Sequence, residues 1–280
     1  MEILTAFIFM LAVSLTAGIL LLVFSHLFAV EKNPVEKKIR ECLPGINCGA
    51  CGYKGCDDYA SALAEGDEKK ANLCVPGTQT VADSISEILG IEKVEVEDVV
   101  AFVACNGRCG AVRVVANYEG VESCRGASML YGGTNSCTYG CLGYGDCAAV
   151  CPSGAISISD GVACVDTSIC VGCGICKSAC PKQIITMLPQ ESRVAVMCSN
   201  KQKGADARKA CKNACIGCKK CEKTCPQNAI TVTNNLAKID YDKCEGCGLC
   251  DDVCPTGCMK QVVFPDIPEG VHPRDIIRNS

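Results

Sequence analysis

The sequence contains no tryptophan, only two histidines and few aromatic residues of any kind. Scarce histidine argues against haem and most zinc sites, because both usually draw on imidazole ligands. An aromatic content of 5% argues against one large conventional hydrophobic core. The net charge of −4 argues against nucleic acid as a partner. The abundant residue is cysteine, with 28 in 280 residues, and such an excess requires disulfides or metal.

Charged residues are also absent from Ile3 to Val30, a run longer than the ~20 residues with which an apolar helix crosses a membrane. We therefore predict a transmembrane anchor over residues 1–30 that contacts the lipid bilayer. Four basic residues follow the run: Lys32, Lys37, Lys38 and Arg40. By the positive-inside rule they place the soluble part of a single-pass protein on the cytoplasmic side of the cytoplasmic (inner) membrane. His26, near the inner end, is interpreted as an interfacial side chain rather than a ligand.

Three copies of the run C-x2-C-x2-C-x3-C-P dominate the C-terminal half. Their cysteines are Cys170, Cys173, Cys176 and Cys180; Cys215, Cys218, Cys221 and Cys225; and Cys244, Cys247, Cys250 and Cys254. The run is typical of bacterial ferredoxins, in which three thiolates bind one [4Fe-4S] cluster and the fourth binds the other cluster of a pair. Disulfides would need an oxidising compartment and fit these spacings poorly.

A looser copy, C-x3-C-x5-C-x3-C-P, precedes the three regular ones. Its cysteines are Cys137, Cys141, Cys147 and Cys151. The final Cys-Pro step and the following AISIS segment still match the repeat. Its wider loops leave the nuclearity of the predicted cluster open.

Exchange of the fourth ligand predicts four clusters in two ferredoxin-like modules, at residues 136–190 and 214–262. In module 1, Cys180 completes the set of Cys137, Cys141 and Cys147, and Cys151 completes the set of Cys170, Cys173 and Cys176. In module 2, Cys254 completes the set of Cys215, Cys218 and Cys221, and Cys225 completes the set of Cys244, Cys247 and Cys250.

A different cysteine block occupies residues 42–90, which we predict to be a small [4Fe-4S] domain. Its ligand set is Cys48, Cys51, Cys56 and Cys74, spaced C-x2-C-x4-C-x17-C. Interspersed glycines let the backbone approach an inorganic core. The pattern resembles the small [4Fe-4S] domain of corrinoid iron–sulfur proteins and of some membrane redox subunits. Structural zinc is the alternative, because it also accepts four cysteines.

Eight cysteines lie outside these five sets. Cys42, Cys164 and Cys258 are not predicted to be ligands. The other five lie in insertions that a minimal ferredoxin lacks: Cys105, Cys109, Cys124, Cys198 and Cys211. Two interpretations of these five residues are equally supported. They bind a sixth cluster, or they are buried free thiols, which are ordinary in a reducing compartment. We thus predict five [4Fe-4S] clusters and leave a sixth open.

The fold class predicted from these parts is α+β, with a transmembrane helix, a small [4Fe-4S] domain and two tandem 2[4Fe-4S] ferredoxin-like modules. The remaining segments are a charged tether at 31–41, an α/β insertion at 91–135, a connecting segment at 191–213 and a tail at 263–280. We predict a helix over 77–90 and strands over 94–104 and 111–117. Further strands are predicted at AISIS, GVACVD, AITVT and LAKID, with a hairpin turn at Asn234-Asn235.

The order of one helix, the CGACGYKGC block and paired ferredoxin modules resembles the B subunit of Rnf complexes, which are ion-translocating ferredoxin:NAD+ oxidoreductases. The resemblance covers essentially the whole chain, and GCLGYGDCAAVCPSGAI and CIGCKKCEKTCPQNAI fit the longer form of that subunit. It implies that soluble reduced ferredoxin donates electrons to this chain. It further implies that other membrane and flavin-bearing subunits carry the NAD+ site and the ion path. The chain would then belong to a translocase without a substrate-transforming active site of its own.

The residues themselves leave other functions open. These are a polyferredoxin subunit of another membrane complex, such as a hydrogenase or a formate-oxidising system, a redox-sensing iron–sulfur protein, and a zinc scaffold.

One stretch of the chain is strongly basic and could bind a ferredoxin: residues 201–223 carry eight basic side chains against two acidic ones. The basic residues are Lys201, Lys203, Arg208, Lys209, Lys212, Lys219, Lys220 and Lys223. They predict either a docking patch for an acidic ferredoxin or an ordinary solvated surface.

Overall fold

The computed structural model describes residues 2–27 and 33–262. Helix α1 (Glu2–Leu27) contains one window, Ala6–Phe24, that is long and apolar enough to cross a membrane. None of this window is buried against other described residues, so its apolar surface has no protein partner there. The side chain of His26 and the tail 263–280 lie outside what is described, and the predictions for them stay predictions.

Three helices form a compact unit after α1. Helix α2 (Pro34–Cys42) begins where the Asn33 side chain accepts a hydrogen bond from the Val35 amide at 3.0 Å. Proline suits the first turn because that turn needs no amide donor from it. Helices α3 (Cys56–Glu65) and α4 (Thr78–Leu89) follow, with a 3-10 turn at Val75–Gly77. The helix predicted over 77–90 is confirmed as α4.

The segment predicted to be a charged tether is largely helical. Ile39 of α2 is fully buried and packs with Tyr59 of α3 and Ile85 of α4. The charged residues of α2 occupy its outer face, so a charge-rich stretch concealed an amphipathic helix. The first cysteine block is therefore joined to a helical core rather than to a flexible linker.

The rest of the described chain contains four two-stranded antiparallel sheets. Strand β1 (Val99–Val103) pairs with β4 (Ile185–Pro189), and β2 (Ile156–Ser159) forms a hairpin with β3 (Val162–Val165). The scheme then repeats: β5 (Val194–Val196) pairs with β8 (Met259–Gln261), and β6 (Ile230–Thr233) forms a hairpin with β7 (Leu236–Ile239). Each half thus has an outer strand pair that encloses an inner hairpin along the chain.

Short helices fill the loops between these strands. They are α5 (Cys124–Ser128), α6 (Asp146–Ala149), α7 (Ile175–Ala179), α8 (Gly204–Ala210), α9 (Lys220–Thr224) and α10 (Leu249–Asp252). Helices α6, α7, α9 and α10 each follow a residue with positive φ and each carry one buried cysteine. The left-handed residue turns the cysteine loop sharply into the helix, which aims that thiol inward.

The hairpin strands predicted between the cysteine runs are confirmed as β2, β3, β6 and β7. Asn234 and Asn235 form the turn of the second hairpin with φ of 51° and 61°, as a tight two-residue turn requires. The strand predicted over 94–104 is confirmed in a shorter form as β1. The strand predicted over 111–117 is wrong: only isolated bridges form there, at Val112 and Val114. The valines were misleading because Val114 and its neighbour Val115 are exposed and have no partner strand in the described chain.

Candidate metal centres

Thirteen of the cysteines line three cavities. All 28 lie among the described residues, and none forms a disulfide there. No three Cys, His, Asp or Glu side chains of the described residues converge as one metal ion would require. A cluster differs from a single ion because each thiolate binds a different iron atom and the thiols surround a larger core.

The N-terminal set, Cys48, Cys51, Cys56 and Cys74, comes together in the helical unit. Burial raises the pKa of the Cys74 thiol to about 12, and the charges of the other three cysteines contribute. The loop that carries the set is held by Asn47, whose side chain accepts a hydrogen bond from the Cys56 amide at 2.9 Å. The structure thus places all four predicted ligands of this domain near one another.

The Cys170 set comes together beside strand β1. Burial raises the pKa of the Cys176 thiol to about 12, and the charges of Cys173, Cys170 and Cys151 add to it. The Ala101 amide of β1 donates to the Cys170 sulfur at 3.5 Å. Cys151, the exchanged fourth residue of the looser run, therefore lies with the three cysteines to which the prediction assigned it.

The Cys215 set lines a cavity of ≈ 330 Å³ together with Lys219 and Lys220. Its members are Cys215, Cys218, Cys221 and Cys254. Burial raises the pKa of the Cys221 thiol to about 11, and the charges of Cys215, Cys218 and Cys254 contribute. This is the grouping that the exchanged fourth ligand predicts.

Cys258, which is not a predicted ligand, is a fully buried neighbour of this cavity. Its thiol donates hydrogen bonds to Cys215 and Cys254. These bonds lower the pKa of Cys215 to about 6 and that of Cys254 to about 4. Cys258 therefore supports the ligands as a hydrogen-bond donor.

In the Cys244 set, burial raises the pKa of the Cys250 thiol to about 11, and the charges of Cys244 and Cys247 contribute. Cys225, its predicted fourth member, packs against the same apolar cluster as Cys250. Cys247 is exposed, as is Cys218 in the neighbouring set. These two sets therefore lie closest to solvent.

The looser run departs from the predicted grouping. Cys141, Cys147 and Cys180 line one cavity of ≈ 340 Å³, but the fourth cysteine there is Cys124. Cys137 lines a separate cavity of ≈ 380 Å³. It shares that cavity with Cys141, which lines both cavities, and with three cysteines of the insertions: Cys105, Cys198 and Cys211. The irregular C-x3-C spacing was the only sequence signal that Cys137 stands apart.

The remaining cysteines lie outside these cavities. Cys109 is exposed and lines an open groove beside Gly161 and Arg108. Cys164 sits in hairpin strand β3, where its sulfur lies 3.9 Å from the Arg108 guanidinium. Cys42 ends helix α2. The structure therefore does not bring Cys109 together with the other insertion cysteines.

Comparison with protein-family models defines the class of this protein. Residues 43–76 match the FeS family, described as an Fe-S cluster. Residues 169–230 and 214–258 match two 4Fe-4S dicluster domain families. The chain is therefore an iron–sulfur protein that carries [4Fe-4S] dicluster domains, with mixed helix and strand content.

Three curated relatives identify the family. The chain is 44% identical over 228 residues to the B subunit of the Na(+)-translocating ferredoxin:NAD(+) oxidoreductase complex of Acetobacterium woodii, spanning 81% of this chain and 68% of the relative. It is 42% identical over 236 residues to the B subunit of the proton-translocating ferredoxin:NAD(+) oxidoreductase complex of Clostridium ljungdahlii, spanning 84% and 83%. It is 39% identical over 228 residues to the B subunit of the ion-translocating oxidoreductase complex of Methanosarcina acetivorans, spanning 81% and 86%.

The chain belongs to the family of B subunits of Rnf-type ion-translocating oxidoreductase complexes. It is an iron–sulfur electron-transfer subunit of such a complex, and it is associated with the membrane and with the other subunits of a translocase. The resemblance seen in the motifs is confirmed. The relatives therefore favour an Rnf-type complex over a hydrogenase or a formate-oxidising complex as the assembly to which this chain belongs.

Proposed function

We propose that this chain takes electrons from reduced ferredoxin in the cytoplasm and passes them along a row of [4Fe-4S] clusters towards subunits in the membrane. The proposal rests on the order of the cysteine sets. Successive sets adjoin one another, from the exposed Cys215 set to the N-terminal set in the helical unit that follows α1. The names of two relatives, which are ferredoxin:NAD(+) oxidoreductase subunits, support ferredoxin as the donor.

The order of the sets is supported by contacts between them. Burial raises the pKa of the Cys173 thiol to about 11, and the charge of Cys48 from the N-terminal set contributes. The Cys141 amide donates to the Cys105 sulfur at 3.4 Å, and the Cys215 amide donates to the Cys198 sulfur at 3.3 Å. The N-terminal set therefore adjoins the Cys170 set. The cavity that holds Cys105 and Cys198 adjoins both module 1 and the Cys215 set.

Electrons enter, in this proposal, at the Cys215 set. Cys218 is exposed, and its neighbours Lys219 and Lys220 line the same cavity. All eight basic residues of 201–223 are exposed, so they can attract an acidic ferredoxin to this side of the molecule. The N-terminal set would be the exit, because its domain is the one that follows the membrane helix.

The ligands we propose for four of the clusters are the predicted sets. They are Cys48, Cys51, Cys56 and Cys74; Cys151, Cys170, Cys173 and Cys176; Cys215, Cys218, Cys221 and Cys254; and Cys225, Cys244, Cys247 and Cys250. The cysteine thiols and the amides that face their sulfurs suit a bound [4Fe-4S] core, which supplies one-electron redox chemistry. We further propose that module 1 extends over 99–189 and module 2 over 194–262, since β1 and β5 pair with the last strand of each.

The test is anaerobic iron and acid-labile sulfide analysis, with EPR, of the detergent-purified chain, followed by stopped-flow mixing with reduced ferredoxin. About 20 or more irons per chain, and bleaching of the visible absorbance by ferredoxin, are expected. Little iron together with bound zinc would overturn the cluster proposal. Reduction by dithionite but not by ferredoxin would overturn the donor alone.

A further inference from the structure

The cavity between the two modules, here called the middle cavity, is lined by five cysteines: Cys141, which also lines the cavity of the looser run, and four that come from four separate segments. Cys105 follows β1, Cys137 belongs to the looser run, Cys198 follows β5, and Cys211 comes directly after α8. Cys105, Cys137 and Cys211 are buried and Cys198 is partly buried. The cavity measures ≈ 380 Å³, against ≈ 330 Å³ at the regular ferredoxin run of the Cys215 set. It is therefore at least as large as the cavity at a regular ferredoxin run.

Each of the four sulfurs in the middle cavity accepts a hydrogen bond from an N–H group. Two backbone amides donate to Cys105, those of Gly107 and Cys141, both at 3.4 Å. Two donate to Cys198: those of Asn200 at 3.4 Å and Cys215 at 3.3 Å. The Asn200 side-chain amide donates to Cys137 at 3.6 Å, and the Asn213 amide donates to Cys211. Sulfur accepts such bonds best as a thiolate, which is its form when bound to iron.

No charged side chain of the described residues lines the middle cavity. Four thiolates in such a place would repel one another; the cavity lining offers no cation, and Lys182, which lies outside it, interacts with Cys137. A cationic iron–sulfur core would supply the missing charge.

The two insertions are joined around this cavity by hydrogen bonds. The Ser136 hydroxyl donates to the Ala210 carbonyl at 2.7 Å, and the Asn213 side chain donates to the Asn106 carbonyl at 2.8 Å. The Lys212 amide donates to the Ala111 carbonyl at 2.9 Å. Segments more than 70 positions apart are thus clamped together where the four thiols meet.

We propose that Cys105, Cys137, Cys198 and Cys211 bind a sixth [4Fe-4S] cluster, and that Cys124 instead joins Cys141, Cys147 and Cys180 at the looser run. The proposal rests on the proposed function, because it uses the same chemistry and fills the gap in the row of sites between the two modules. Cys124 is buried beside its three partners, and its amide donates to Asp146 of α6 at 2.7 Å. Each of the two irregular cavities then has four cysteine ligands, with Cys141 assigned to the looser run.

Iron and sulfide content of alanine variants of the full-length detergent-purified protein tests the assignment. Cys198→Ala and Cys211→Ala are each expected to lose about four irons and four sulfides, with one EPR signal, and to keep the others. The matched control is Cys109→Ala, an exposed insertion cysteine outside the cavity, which should lose none. Wild-type iron content in Cys198→Ala, with a full complement in the parent, overturns this inference and leaves the proposed function standing. Little iron in the parent itself would overturn the proposed function.

Double variants separate the new ligand sets from the predicted ones. Cys137→Ala combined with Cys198→Ala should lose no more iron than Cys198→Ala alone, because both residues hold one cluster. Cys124→Ala combined with Cys198→Ala should lose about eight irons, because two clusters are affected. The reverse pattern, with additivity for Cys137 and none for Cys124, would overturn the assignment.

Asn200→Leu provides a milder variant that leaves all four thiols in place. Asn200 is buried, and its side chain donates to the Cys137 sulfur, so the change removes one hydrogen bond to the sixth cluster. Iron content is expected to stay constant, while the potential of one cluster becomes more negative. The shifted EPR signal must be the one that disappears in Cys198→Ala; a shift in any other signal, or none, contradicts the site.

Discussion

The helical unit at residues 33–90 and the strand-rich region at 99–262 are stabilised in different ways. The helical unit has a core of large apolar side chains, with Ile39, Leu43, Tyr59, Leu63 and Ile85 almost completely buried. In the strand-rich region, cysteines fill much of the core. Those of the second half are Cys215, Cys221, Cys250 and Cys258. We therefore expect apolar burial to support the first region and cluster binding to contribute much of the folding free energy of the second.

Removal of the clusters should show this difference most strongly. Treatment with a chelator and ferricyanide, with oxygen excluded, is expected to abolish hydrogen-exchange protection over most of 99–262. Helices α2 and α4 should keep part of theirs, because the core they share consists mainly of large apolar side chains. Hydrogen exchange followed by mass spectrometry measures both regions in one sample. Equal loss in the two regions would contradict the contrast.

Ile85→Ala tests the apolar core directly. Ile85 is fully buried between α2, α3 and α4, and its truncation is expected to cost about 2–5 kcal/mol of local stability. Native-state hydrogen exchange of α4 measures this cost. Iron bound in the strand-rich region should not change. The matched control is Glu87→Ala, an exposed position of the same helix, which should cost about 0.5 kcal/mol or less.

Alanine substitutions beside Cys173 test how closely the backbone surrounds one candidate cluster. The two positions are Gly172 and Gly174, one on either side of Cys173. Both have positive φ, at 62° and 70°. A Cβ atom at Gly172 would collide with the Val99 carbonyl oxygen, while one at Gly174 would meet nothing within 4 Å. Gly174→Ala should therefore cost about 1–2 kcal/mol from backbone strain alone, and Gly172→Ala more. The rate of iron release to a chelator measures both; equal rates would show that the β1 contact does not constrain the loop.

Lys209→Glu with Lys212→Glu is expected to have the smallest effect on structure and a purely electrostatic effect on function. Both side chains are exposed, and reversing them should slow association with an acidic ferredoxin by about tenfold at low salt. Stopped-flow reduction at increasing ionic strength measures the change, which should vanish as salt screens the charges. The matched control reverses Lys69 and Lys70, two exposed lysines of the helical unit. Rates equal to that control would contradict docking at 201–223.

The sequence predicted those elements whose signal is local. Helix α4 and the four hairpin strands were predicted because apolar periodicity and turn residues act over a few positions. Helix α2 was missed because its charges outnumber its two apolar contacts, Val35 and Ile39. The strand over 111–117 was wrongly predicted because β-propensity needs a partner strand, and beside Val114 the described residues provide only an isolated bridge to Asn135.

The sequence by itself determined the chemistry of this protein and its regular cysteine sets. In a C-x2-C-x2-C run the three thiols share one loop, so their proximity follows from chain geometry and from the left-handed residues between them. Only the tertiary structure decided where Cys105, Cys124, Cys137, Cys198 and Cys211 lie relative to one another. Their neighbours come from loops far apart in the chain, and the pairing of β1 with β4 and of β5 with β8 brings those loops together. Spacing along the chain cannot encode such a meeting, because it depends on how separate segments pack.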